Sequence, residues 1–147
     1  MAIFAVDANC MIAAVCDWHE QHAAAAAEIE HRLKQGDRIT VAAHALAEAY
    51  SVLTRLPPPY RLASIDAWAA LRANFVEGAS LHALDSQGYV SLLDRLAESG
   101  VGGGRTYDAM IGDCAHSAGA GALVTLNPKH FEPAPEGVSI VDVSRPS

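Results

Sequence analysis

A three-layer α/β/α sandwich around a central, mainly parallel sheet is the fold this sequence predicts, on three observations. Short apolar segments alternate with helical ones along the whole chain. The first of them, "IFAV" from Ile3 to Val6, is continuously apolar rather than alternating, as befits a strand covered on both faces. With 147 residues, 51% of them hydrophobic, the chain can bury one sizeable core but has little room for two, so residues 1–147 are expected to form a single domain.

The elements follow in order. The first strand closes on Asp7, ahead of the apolar segment "ANCMIAAV". From Glu20 to Lys34 strong helix formers predict a helix that stops at Gly36. "RITVAA" from Arg38 reads as a second strand. "HALAEAYSVLTRL" places Leu46, Tyr50 and Leu53 at helical spacing and ends at Pro57–Pro59, which no helix interior tolerates. Arg61–Asn74 is a further helix, "GASLHAL" a short strand, and Asp85–Ser99 a helix with Asp85 or Ser86 as its N-cap. "GVGGG" lacks the Lys-Ser/Thr ending of a phosphate-binding loop and reads as a flexible turn into "RTYDAMIGDCAHSAGA", a helix expected to be capped by Thr106. "GALVTL" and "VSIVDV" are the last two strands, and only "RPS" remains as a tail.

Composition narrows the setting. No apolar run approaches the roughly 20 residues that cross a bilayer, and Asp7 interrupts the N-terminal run too early for a signal peptide. A cytoplasmic protein without membrane contact is expected. Three cysteines, Cys10, Cys16 and Cys114, show no CxxC spacing and read as buried free thiols. A net charge of −7 argues against a non-specific nucleic-acid coat, unless the acids gather around a cation.

In open parallel sheets the functional crevice lies at the carboxyl ends of the strands. Asp7 ends the first strand, as an N-cap of the following helix or as a metal ligand; the residue alone admits both. Asp108 has Ile111, Ala115 and Ala118 at i+3, i+7 and i+10, which puts a carboxylate on the apolar stripe of its own helix, where it needs a partner. Asp113 is rotated by about 140° from it, toward solvent or a supporting position. Glu48 flanks the apolar stripe of its helix among small neighbours, Ala45, Ala47 and Ala49. No Lys or Arg stands near enough in sequence to neutralise Asp7 and Asp108, so a hard divalent cation is the economical partner for these oxygens. His19 and His22, one turn apart beside Asp17, lack an evident third ligand for zinc, and Trp18 reads as a packing residue.

Together "FAVDANCMIAA", "ALAEAYSVLTRLP", "TYDAMIGDCAHSAGA" and "LVTLNPKHF" resemble the PIN domain, most closely the VapC-type toxins of bacterial type II toxin–antitoxin modules. The resemblance spans nearly the whole chain, with the four fragments in order. It implies a metal-dependent endoribonuclease in which Asp7 and Asp108 hold Mg²⁺ or Mn²⁺ and Glu48 orients or deprotonates the attacking water. Hydrolysis would leave a 5′-phosphate and a 3′-hydroxyl. Where the family often carries a further Asp, this chain has Asn127, which weakens or removes a second metal position. Asn9 and Thr125 are candidates to support a ligand through hydrogen bonds, or equally caps and turn residues. Arg105, Lys129 and His130 are candidates for RNA phosphate contacts, or equally solvated cations. The resemblance also implies an RNA substrate such as a tRNA or rRNA loop, a small cognate antitoxin and a homodimer. The alternatives are a PIN nuclease for RNA maturation or DNA processing outside any toxin module, and a catalytically silent binding module.

Overall fold

A computed structural model describes residues 2–144. Among them five strands and six α-helices run in the order β1 (Ile3–Val6), α1 (Ala8–Val15), α2 (His22–Lys34), β2 (Arg38–Ala42), α3 (Ala43–Arg55), α4 (Ser64–Phe75), β3 (Ser80–His82), α5 (Ser86–Ser99), α6 (Arg105–Ser117), β4 (Ala122–Thr125) and β5 (Ser139–Asp142), with a single 3₁₀ turn at Pro128–Phe131. The tail Arg145–Ser147 lies outside the described residues.

All five strands are parallel, in the spatial order β3-β2-β1-β4-β5. The chain first winds outward from β1 through β2 to β3, then crosses back to β4 and β5. Right-handed crossovers therefore put α1–α4 on one face and α5 and α6 on the other. The packing agrees: α1 touches α2, α3 and α4, while α5 lies on α6, which in turn covers β2 and β4. The continuously apolar reading of β1 is explained by this double cover, with Phe4 and Val6 wholly buried beside Leu123 and Val124 of β4. The winding reverses between β1 and β4, and at such a switch point the two strand ends diverge into a crevice.

Element boundaries differ from expectation where local chain chemistry intervenes. The fourth helix starts at Ser64 rather than Arg61, because the chain first turns at Pro57–Tyr60, where the Tyr60 amide donates to the Pro57 carbonyl at 2.9 Å, and enters the helix through an extended Ala63. The sixth starts one residue ahead of Thr106, which is not its cap: the N-cap is Gly104 and carries no side-chain bond. Gly103, at φ +65, turns the chain so that its carbonyl already accepts the Thr106 amide, and the turn itself starts the helix. Asp85 does cap α5, accepting from the Gly88 amide at 2.7 Å. The three cysteines are buried and free. Among the described residues no helix is long and apolar enough to cross a membrane.

Candidate active site

The site begins at the switch point. Asp7 follows directly on β1 and is the N-cap of α1, so a single backbone junction sets both its position and its direction. Its Oδ1 accepts the Cys10 amide at 2.8 Å, and its Oδ2 accepts the Thr125 hydroxyl at 2.5 Å across the β1–β4 boundary. The capping reading of Asp7 is borne out, and it leaves each carboxylate oxygen a further lone pair. Thr125, at the end of β4, is wholly buried, and its Oγ1 also accepts the Asn127 amide at 2.9 Å. This places Thr125 and Asn127 at the wall of the crevice, with Thr125 bonded to the acid directly.

Asp7 is only 4% exposed. Burial lifts its carboxyl from the ordinary 3.8 to about 6, against the pull of the Thr125 and Cys10 hydrogen bonds; the charges of Asp108 and then Glu48 push it further the same way. Asp108 on α6 and Glu48 on α3, both singled out from sequence, are therefore within electrostatic reach of Asp7. Asp108, in the first turn of α6, is half-buried, and burial raises its carboxyl too. Here opposing charges act: His130 Nδ1 stands 3.5 Å from Oδ2, and Arg105 is close enough to favour the charged form. The expectation that no cation in sequence neutralises this acid is corrected. Arg105 lies one helical turn before it, on the same face.

The remaining candidates separate. Asp113 forms an ion pair with Arg95 of α5, and it lines the same cleft as Asp108 rather than the opposite side of the helix. Asn9 is exposed in the first turn of α1. Lys129 is exposed in the 3₁₀ turn beside His130, and the Arg105 guanidinium donates to the Glu132 carbonyl at 3.2 Å. A cleft of about 450 Å³ opens beside Asp108, with Arg105, Ala109, Gly112, His130 and Phe131 in its walls. His19 and His22 are used locally instead, on the Gln21 amide and the Ala13 carbonyl. Trp18 packs, but at the surface, against Tyr60 at 4.4 Å.

Two residues beside the acids went unnoticed in sequence. His44, four residues before Glu48 on α3, stacks on Tyr107 with ring centroids 4.9 Å apart and planes 20° from parallel. Their signals, the "HALAE" spacing and the position next to Asp108, are too common to single out alone.

Among the described residues no three His, Cys, Asp or Glu side chains close around one point as a metal cage. The donors that do converge are hard oxygens, and a buried carboxyl held near 6 by its surroundings is one that a cation would stabilise as the anion. Mg²⁺ typically takes one or two carboxylates and keeps several waters, so Asp7 and Asp108 fit such an ion without a third protein ligand.

Comparison with known proteins identifies the family and the fold. The family model for the PIN domain matches residues 4–134. Ribonuclease VapC40 of Mycobacterium tuberculosis (strain CDC 1551 / Oshkosh) is 42% identical over 121 residues, 82% of this chain and 84% of that protein. Ribonuclease VapC27 of Mycobacterium tuberculosis (strain ATCC 25618 / H37Rv) is 39% identical over 107 residues, 73% of this chain and 72% of that one. In structure, VapBC2 from Rickettsia felis, solved on a DNA fragment from its promoter, superposes with a TM-score of 0.67 at 19% identity, covering 95% of this chain and 99% of that chain. VapC20 of Mycobacterium tuberculosis, a Sarcin-Ricin loop cleaving toxin, gives 0.63 at 15% identity over 83% of this chain and 87% of that one. At such identities the superpositions speak for the fold, and the family rests on the sequence matches: the chain belongs to the PIN-domain family, among the VapC ribonucleases.

Proposed function

We propose that this chain, acting as a single domain, is a divalent-metal-dependent endoribonuclease that serves as the toxin of a toxin–antitoxin pair. The observation that carries the chemistry is the buried Asp7 carboxyl, held by Thr125 and Cys10 at the sheet's switch point and sensing Asp108 and Glu48. The toxin role and the RNA substrate come from the ribonucleases it matches.

Asp7 and Asp108 would hold Mg²⁺ or Mn²⁺, which when bound would supply Lewis acidity toward a phosphate oxygen and make water easier to deprotonate. Thr125 keeps Asp7 from rotating, so the first ligand is presented in one orientation. Glu48 orients the attacking water and takes its proton. Arg105, Lys129 and His130 meet the RNA backbone on the far side of Asp108, where a local basic rim suffices despite the net charge of −7. Asn127 presents a neutral amide oxygen and leaves a single cation as the working complement.

The antitoxin would use the apolar groove of about 590 Å³ between α3 and α4, walled by Leu46, Tyr50, Ile65 and Trp68. Ala47 also lines it, next to Glu48, so a basic side chain on a bound segment could reach the acids and displace the cation. A homodimer in the cytoplasm completes this reading.

Incubating the protein with structured RNA, with Mg²⁺, with Mn²⁺ and with chelator, tests the proposal. Metal-dependent internal cleavage leaving 5′-phosphates is expected; cleavage indifferent to chelator would refute the metal role, and intact RNA under every condition the activity itself.

A further inference from the structure

Tyr107 is an aromatic ring set beside the acids with no task in the chemistry above. It is 47% exposed, and the His44 imidazole stacks against it. Asp108 follows it in the chain. Arg105, Asp108, Ala109 and Gly112 face the cleft on one side of α6, while Tyr107 flanks the acid on the α3 side. The other exposed aromatics differ: Trp18 and Tyr60 pack against each other at a tilt of 35°, and Trp68 lines the α3–α4 groove.

The backing residue adds a second observation. His44 Nε2 is the one buried side-chain nitrogen or oxygen, among the described residues, without a hydrogen-bond partner. Such an atom costs stability that an apolar residue of similar size would not, so packing alone does not account for an imidazole there. What the imidazole provides is a flat ring for Tyr107 to lie against, which an aliphatic side chain would not.

We propose that Tyr107, backed by His44, is a stacking seat for one unpaired nucleobase next to the scissile phosphodiester. A ring backed on one side and open on the other presents a flat π-face, to which every base has a counterpart. A base can take that seat only after leaving its own helical stack, so the preferred substrate is a loop or single strand rather than a continuous duplex. The inference rests on the ribonuclease reading, to which it adds a residue that would hold the base beside the cut.

The test is binding, measured without divalent metal so that turnover plays no part. The probe is a short single-stranded RNA carrying 2-aminopurine, whose fluorescence is quenched on stacking. Wild-type protein should quench it, and Tyr107→Phe should behave alike. Tyr107→Leu, which keeps apolar bulk and loses the ring, should abolish the quench and weaken binding by about tenfold, within the range for one base on an aromatic side chain. Duplex RNA should bind all three proteins equally. As a check that needs no variant, single abasic replacements along the RNA should reveal one position where wild-type affinity falls by a similar factor. Unchanged quenching and affinity in Tyr107→Leu, or an abasic series with no sensitive position, would overturn the proposal. Tyr107-dependent binding in a protein that cleaves no RNA would sink the ribonuclease reading and leave this one standing; cleavage with no Tyr107 dependence would do the reverse.

Discussion

The β1–α1 junction and the first turn of α6 each deliver one aspartate to the site, and they hold it by opposite means. Asp7 is built into the backbone: it ends a strand, caps a helix and is pinned by Thr125, all inside the protein. Asp108 sits on a half-open helix face and is steadied by the charges of His130 and Arg105. Hydrogen bonds from neutral donors fix geometry without cancelling charge, so the better-positioned acid is also the one left carrying an uncompensated desolvation cost. On the proposed function, the poorly solvated acid would make the site depend on a cation, and the more solvated one, beside Arg105 and His130, would leave it open to RNA.

The strongest way to break this contrast is to neutralise each acid in turn. Asp7→Asn and Asp108→Asn should both lower cleavage by at least about 10²-fold, as loss of a group acting directly on the reaction does. Their stabilities should part. With a folded-state value of about 6 against an ordinary 3.8, ionised Asp7 destabilises the metal-free fold, by up to about 3 kcal/mol above pH 6. As the pH falls below 6 the folded state takes up the proton before the unfolded chain does, and the penalty fades by about pH 4. Asp7→Asn should therefore be more stable than wild type at pH 8 in chelator and lose that advantage by pH 4; denaturant titrations at the two pH values measure it. Asp108→Asn gives up the attraction of His130 and Arg105 along with its desolvation, so a smaller change is expected. Equal stabilisation by both substitutions would erase the distinction.

A smaller effect should follow at Glu48, which contributes less than Asp108 to the field at Asp7 and comes from a third element, α3. Glu48→Gln should reduce kcat by roughly 10²-fold while calorimetric Mn²⁺ affinity stays within a few-fold, because a residue that handles water acts on the chemical step. Complete loss of Mn²⁺ binding would turn Glu48 into a third ligand and end the two-aspartate description.

How much of this contrast could be read beforehand depended on sequence distance. Asp7 was legible because a carboxylate closing an apolar strand stands out within six residues, and Asp108 because a stripe of i+3 and i+7 partners marks the buried face of one helix. Both are local patterns. What holds each acid is not, although Thr125, as the end of a strand, was already a candidate support: it reaches Asp7 from 118 residues away, and His130 reaches Asp108 from outside its helix. Neither spacing carries a periodic signature, and a parallel sheet makes such partners neighbours only after its crossovers have formed. The Arg95 partner of Asp113, 18 residues away, was invisible for the same reason, although the helical rotation of Asp113 was not. The Thr106 cap failed in the other direction, since a glycine-rich turn can start a helix through backbone bonds that no side chain advertises.

Asn127 sharpens the comparison from the Asp7 side. Its backbone N–H donates to the Thr125 hydroxyl oxygen that is itself bonded to Asp7, so a carboxylate introduced at this position would stand near the acid that already bears the larger desolvation. Asn127→Asp should lower the Mn²⁺ concentration needed for half-maximal cleavage by about three- to tenfold, since a charged oxygen binds a hard cation better than a neutral one. It should also push the Asp7 carboxyl further up in chelator, widening the pH-dependent stability loss. An unchanged midpoint would put residue 127 outside the cation's surroundings, whereas a higher plateau at saturating metal would indicate a second ion.

The least effect should come from Asp113, which shares a helix with Asp108 and contrasts with it most simply. Its carboxylate is occupied by Arg95, a side chain more than half exposed, and ion pairs of that kind contribute at most about 1 kcal/mol. Asp113→Asn should therefore cost no more than this in denaturant titrations, with the difference shrinking at high salt as screening grows. Cleavage should stay within about twofold of wild type. The two aspartates differ by five residues and about 140° of helical rotation, and that angle alone decides which meets the other acids. A tenfold loss of cleavage in Asp113→Asn, with stability intact, would mean that the Arg95 pair opens to lend its carboxylate to the site, and that rotation on α6 is no guide to which of its acids take part.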